Sequence, residues 1–332
     1  MDLKNRKIIV TGGAGFIGSH VVDVLAEHDC EVVVVDDLST GSVRNIRRRL
    51  DDGTARLERA DIRSQTAMES LIGDADVVLH MAVACVRTSL NDPVFVHETN
   101  AGGTLNVAIA AQRNEVGRLV YVSSSEAYGS AQYVPMDEDH PTDPTTVYGA
   151  SKLVGEGYAL AMERTCGMEV TIIRPFNSYG PREPDSGKRA EVIPKFVLRT
   201  MAGDRPVIFG DGTQTRDFTW VEDTARGIVA ATACDDLVGK RVNVARGQEI
   251  SIRDVAAKVL TALGRSGEEA CFDAPRPGDV DRHHADTALA GKHLDWQPRM
   301  SIDEGLQRYI AWLLETGIDP QEWFQREVTR NW

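Results

Sequence analysis

The sequence predicts an α/β protein: a doubly wound parallel sheet, then a smaller mixed α/β substrate domain. Three observations carry this. Strand-like and helix-like segments alternate through the first half, a glycine-rich turn joins the first strand to the first helix, and the texture changes after Pro175. The apolar runs Lys7–Thr11, Glu31–Asp36, Asp76–His80, Arg118–Ser123 and Met168–Arg174 do not alternate. Each therefore reads as a strand covered on both faces. Helical spacing marks Phe16–His28, 92–112 and 148–166 between them, which makes βαβ units and a parallel sheet. After Pro175 comes a Gly-, Pro- and charge-rich stretch, Asn177–Ala190, read as a boundary or an active-site loop. Helices near 191–202, 224–233, 252–263 and 302–314 and a strand near 206–209 follow. The expected division is a dinucleotide domain over 1–175 and a substrate domain over 176–332.

Composition narrows the function. The 332 residues carry 37 Lys and Arg against 50 Asp and Glu, a net charge of −13. A nucleic-acid binder needs a basic stripe to neutralise phosphates, so that class is excluded as a partner. No apolar run approaches the roughly 18 residues of a membrane span, and the first residues lack a secretory h-region. The five cysteines form no CxxC pair and are odd in number. That argues against a disulfide framework and points to a reducing, cytoplasmic setting. His283-His284 lies beside Asp281 and Asp286, but without metal-site spacing; a solvated polar loop is the expected reading, with no metal.

The sharpest local signal is TGGAGFIG at 11–18. Gly12, Gly15 and Gly18 permit a tight turn and close approach of a pyrophosphate. The helix beginning at Phe16-Ile17 then offers its N–H groups and a partial positive charge. This is the fingerprint of a Rossmann-type sheet. Asp36 ends the next strand, where a carboxylate accepts hydrogen bonds from a ribose 2′-hydroxyl and repels a 2′-phosphate, so NAD is favoured over NADP. Asp61-Ile62 is the expected adenine contact, with a plain loop acid as the alternative.

Tyr148 and Lys152 stand at i and i+4, on one helix face. A phenol with pKa near 10 is a poor base at neutral pH, and a neighbouring ammonium stabilises its phenolate. Tyr148 is therefore the candidate base that removes a hydroxyl proton while hydride leaves the carbon.

These motifs resemble the extended short-chain dehydrogenase/reductase family, in particular its nucleotide-sugar epimerases and dehydratases. The resemblance runs nearly the whole chain, through DDLSTG at 36–41, HMA at 80–82, TNAGGTLNV at 99–107, SSSEAYG at 123–129, YGASK at 148–152, RPFNSYGPR at 174–182, GDGTQTRDFTWVED at 210–223 and RPGD at 276–279. It implies a tightly held NAD, a nucleoside-diphosphate sugar as substrate, oxidation of that sugar at C4, and a homodimer through the helices at 92–112 and 148–166. It assigns Ala82, Asn100, Ser123 and Pro175 to the cofactor, along with Lys152. Ser124 is matched with the residue bonding the sugar 4-oxygen. Arg87, Ser125, Asn177, Val192, Arg216 and Arg276 are assigned to the substrate. Arginines suit a diphosphate because their forks bind phosphate bidentately.

Glu126 divides the family's reactions. A 4-epimerase needs no further base, because the 4-keto sugar rotates and takes hydride back on its other face. A 4,6-dehydratase needs a carboxylate to remove the C5 proton made acidic by the C4 ketone, and Glu126 stands at that position. The expectation is a 4,6-dehydratase, with a 4-epimerase as the alternative. A glucuronate decarboxylase with Arg87 on the substrate carboxylate comes third, and a non-catalytic NAD sensor last.

Overall fold

The computed structural model describes residues 1–276 and 278–330; Pro277 of the RPGD segment lies outside them. Twelve strands are present among these residues: β1 Lys7–Thr11, β2 Glu31–Asp36, β3 Ala55–Arg59, β4 Val77–His80, β5 Arg118–Val122, β6 Glu169–Pro175, β7 Asn177–Tyr179, β8 Val207–Phe209, β9 Thr215–Trp220, β10 Arg241–Val244, β11 Glu249–Ser251 and β12 Cys271–Asp273. Seven of them form one parallel sheet in the order β10-β6-β5-β4-β1-β2-β3. Between β1 and β4 the order reverses, the switch point outside whose strand carboxyl ends open α/β sheets bind ligands.

The valine runs do what their lack of alternation predicts. Ile8, Val10, Val32, Val34, Val77 and Leu79 point to one face, beneath the helices Phe16–Leu25 and Val221–Ala233. Ile9, Val33, Val35, Val78, Leu119 and Tyr121 point to the other, where the helices Gln65–Leu71, Gly103–Arg113 and Val147–Cys166 pack on them. Each fully buried aliphatic side chain contributes roughly 1.5–3 kcal/mol, so covering both faces makes this sheet the rigid platform for the site.

A second layer holds a three-stranded sheet, β11-β9-β7, and the pair β12-β8. Its core gathers Phe196, Phe218, Trp220, Tyr309 and Trp323 with the helices Val192–Met201, Ile252–Ala262 and Ile302–Glu315. The chain leaves the large sheet at Pro175, but it returns. Val221–Ala233 packs on Phe16–Leu25, and β10 pairs in parallel with β6. Among the described residues no helix is long and apolar enough to cross a membrane.

The helical stretch near 92–112 is broken by a π turn at Glu98–Gly102, between Pro93–His97 and Gly103–Arg113. The expected solvated loop at 281–286 is solvated only in part, with Asp281 and Arg282 exposed. His283 is fully buried, its Nε2 lies 2.9 Å from the Gly129 carbonyl oxygen, and its ring stands edge-on to Phe176. Burial pushes that imidazole down to about 3. No cluster of three metal-ligating side chains occurs among the described residues.

Candidate active site

The cofactor end is built from backbone. Gly12 has φ +71°, and a Cβ there would lie 2.7 Å from the backbone of Ala82. A Cβ on Gly18 would overlap the Gly12 carbonyl oxygen. Gly15 caps the helix Phe16–Leu25 with no side chain on its first N–H groups, and no acid stands in the first turn. That leaves a helix N-terminus open to a diphosphate. Asp36 is buried, and its carboxylate accepts from Ala14 N at 3.0 Å and Leu38 N at 2.9 Å. These bonds fix its orientation and leave lone pairs for ribose hydroxyls. Burial raises its pKa, and the two backbone bonds oppose the rise. The cradle, the open helix end and the acid fit a dinucleotide of the NAD type.

Four expected cofactor residues also make contacts within the chain. Both Asp61 carboxylate oxygens accept from Arg63, Oδ1 from its backbone N at 2.8 Å and Oδ2 from its guanidinium at 2.6 Å, so this acid closes a turn. The Ile62 side chain is buried against Gly103. Asn100 spends its amide on the Ala84 backbone and Ser151, at 2.8, 3.0 and 3.0 Å. It acts by pinning the loop after β4 to the helix Val147–Cys166. Ser123 donates to Glu156 at 2.6 Å. Ala82 lies over Gly12, with its N–H on Thr11 Oγ1 at 3.1 Å, and Pro175 ends β6.

The reacting groups converge above β5. Thr146 caps the helix Val147–Cys166 through Gly149 N at 3.1 Å, which sets the direction of Tyr148 and Lys152. Ser124 caps the short turn Ser125–Ala127 by accepting from Glu126 N at 3.2 Å, and its hydroxyl also pairs with the Tyr148 phenol. Ser125 is buried in that turn. Burial pushes the Tyr148 phenol up, with Ser124 opposing and Glu126 adding to the rise. Lys152 is 2 % exposed, donates to the Val122 carbonyl at 2.6 Å and sits 4.4 Å from the Tyr121 ring centroid. Burial holds its ammonium down to about 7, and Glu156 partly opposes this.

One cleft brings together Arg87, Glu126, Asn177, Val192, Arg216 and Arg276. Among the described residues no hydrogen bond engages the Glu126 carboxylate. Burial raises its pKa; Arg216 opposes, while Asp279 and Glu191 add. Asn177 points a buried Oδ1 that has no partner. Arg216 donates to the Val280 carbonyl at 2.7 Å and to Asp279 at 2.5 Å. Arg276 lies over the Phe209 ring at 5.6 Å, and burial together with neighbouring Arg87 lowers its pKa. Arg87, Arg216 and Arg276 bring cations into the cleft, and Glu126 brings a carboxylate that acts on the Tyr148 phenol.

Sequence reasoning missed three members. Glu191 pairs with Arg87 inside the cleft. Lys195, one helical turn on, lines the same cleft and is held by the Val328 and Thr329 carbonyls at 2.6 and 2.9 Å. Glu156 is 0 % exposed and gathers Ser123, Arg174 and Arg241. Its place four residues after Lys152, on the same helix face, was the available signal.

A family model described as the NAD dependent epimerase/dehydratase family matches residues 8–245. A putative UDP-glucose 4-epimerase of Methanocaldococcus jannaschii is 38 % identical over 309 residues, 92 % of this chain and 98 % of its own. A solved UDP-N-acetylglucosamine 4-epimerase of Methanobrevibacter ruminantium, in complex with UDP-N-acetylmuramic acid, superposes with a TM-score of 0.88 at 30 % identity, covering 94 % of this chain and 99 % of that one. The dTDP-glucose 4,6-dehydratase DesIV of Streptomyces venezuelae, with NAD bound, gives 0.86 at 31 % identity, with coverages of 93 % and 97 %.

Proposed function

Because the chain belongs to the NAD-dependent epimerase/dehydratase family, we propose that it oxidises a nucleoside-diphosphate hexose transiently at C4 and then eliminates water as a 4,6-dehydratase. NAD, when bound, supplies the hydride acceptor for C4. It is held by the Gly12–Gly18 turn, Asp36 and Lys152. Tyr148 removes the C4 hydroxyl proton, with Ser124 bonded to both the phenol and the sugar oxygen. Lys152 lies one turn along the same helix, and its positive charge makes the phenolate accessible. Arg216, Arg276 and Asn177 hold the diphosphate and so place C4 against the phenol.

The observation that carries dehydration is the Glu126 carboxylate: in the cleft, without a hydrogen-bond partner, its pKa raised by burial. A carboxylate so placed takes the C5 proton once C4 is a ketone. In its protonated form it then assists loss of the C6 hydroxyl as water, and the resulting 4-keto-5,6-ene regains the hydride at C6 and a proton at C5, so the net change is one water. A 4-epimerase is the second reading, favoured by the names of the Methanocaldococcus and Methanobrevibacter relatives. Incubation with UDP-, dTDP- and GDP-hexoses and with UDP-glucuronate, followed by mass spectrometry, tests the reading. Loss of one water supports dehydration. An unchanged mass with a new isomer replaces it with epimerisation, and loss of carbon dioxide replaces it with decarboxylation.

In the same reading the enzyme works in the cytoplasm as a homodimer. Exposed Val94 and Val154, on the two helical segments expected at the interface, support self-association, which sedimentation of the purified protein tests.

A further inference from the structure

Arg87 and Glu191 come from opposite layers and meet in the cleft. Arg87 lies on the short helix Val86–Ser89 after β4, and Glu191 caps the helix Val192–Met201 of the second layer. The Arg87 guanidinium is 2.5 Å from Glu191 Oε2, and its Nε donates to the Ala190 carbonyl at 3.1 Å. The arginine side chain is 7 % exposed and the glutamate 38 %. Arg87 is thus locked in place, and Glu191 keeps part of its carboxylate on the open cleft. Glu191 also acts electrostatically on Tyr148, Glu126 and Arg276.

The cleft holds the carboxylates of Glu126 and Glu191 among its cations. The two cations that act on Glu126, Arg216 and Arg87, are each already in an ion pair, with Asp279 and Glu191. A sugar carrying its own carboxylate would meet two like charges and would have to break one of those pairs. Like-charge juxtaposition of this kind is one way in which a site rejects a wrong ligand.

Resting on the reading of this cleft as a nucleotide-sugar site, we infer that the Arg87–Glu191 pair is a specificity determinant that restricts the enzyme to uncharged hexoses and excludes uronates. Arg87 is then not a carboxylate receptor, the role considered for it from sequence. Glu191 is instead a hydrogen-bond acceptor for a sugar hydroxyl or amide.

The test is equilibrium binding in the Tyr148→Phe background, which holds substrate without turning it over. Dissociation constants are measured for UDP, UDP-glucose and UDP-glucuronate, and in parallel for the deoxythymidine series. Each sugar is expressed relative to its bare diphosphate, so a general change in the cleft cancels. The expected result is a preference for glucose over glucuronate that shrinks by about ten-fold or more in Glu191→Gln, and is retained or widened in Arg87→Gln. Equal or tighter binding of the glucuronate by the parent, or a ratio unchanged by Glu191→Gln, overturns the inference. These readouts require no chemistry at C4. A binding ratio that behaves as expected with no mass change in any hexose would leave the inference standing and reject the proposed reaction.

Discussion

The Lys152 ammonium donates to the Val122 carbonyl oxygen at 2.6 Å, tying the helix Val147–Cys166 to the end of β5. The bond is made in a buried place, so the lysine pays for desolvation with a lowered pKa, about 7 against an ordinary 10.5. The unfolded chain therefore binds more protons than the folded one between pH 7 and 10.5. Stability from this group rises with pH across that window, and its cost is fully present below pH 7. Denaturant unfolding of the cofactor-free protein should show this rise, and Lys152→Met should lose it. Parallel pH profiles for the two proteins would reject the assignment.

Tyr148→Phe keeps the ring and removes the base. Turnover should fall by roughly 10²–10⁴-fold, with the bound NAD content and the unfolding midpoint retained. Near-normal turnover would mean that another group takes the proton.

Glu126→Gln separates the two readings of the reaction. A dehydratase should lose water elimination and the exchange of the C5 proton with deuterated solvent while still holding NAD and substrate. An epimerase should keep isomerisation at much the same rate. Product mass and deuterium content decide between them.

Glu156 is buried with two arginines, Arg174 at 2.6 Å and Arg241 at 2.8 Å. Glu156→Ala leaves Arg174 buried without its carboxylate, and breaking such a pair costs about 3–5 kcal/mol. Urea unfolding should report a loss of that size. A change below about 1 kcal/mol would place the pair among the weak surface bridges instead.

Asp36→Ser removes the charge that repels a 2′-phosphate. The ratio of NAD to NADP affinity should fall by about ten-fold or more, because one close charge pair is worth a few kcal/mol near a protein surface. Fluorescence titration with both dinucleotides measures it.

What the sequence made legible follows from burial. β1, β2, β4, β5 and β6 are covered on both faces, so their apolar runs stand out from the turns around them. β10 did not stand out, because its four residues alternate with polar ones that serve distant partners. Arg241 reaches Glu156, and Asn243 accepts from the Tyr128 hydroxyl at 2.7 Å. In the site, the glycine turn and the Tyr148–Lys152 pair are local in sequence and could be read directly. The Arg87–Glu191 pair joins residues 104 positions apart, and no local pattern announces it. Asn100 and Ser123 lie beside the cofactor motifs, yet their side chains also bond Ala84, Ser151 and Glu156. Proximity in sequence could not reveal that.

The return of the chain to the large sheet has a consequence for biosynthesis. A nascent chain that has emerged only to Pro175 already holds every glycine and acid of the dinucleotide site. It still lacks the strand Arg241–Val244, the helix over Phe16–Leu25, and one of the two cations around Glu156. The edge of β6 stays unpaired until about seventy more residues have been made, an exposed template for pairing with another chain. Folding of this enzyme on the ribosome is therefore completed late, and a fragment ending at the first domain's apparent border should aggregate rather than bind NAD.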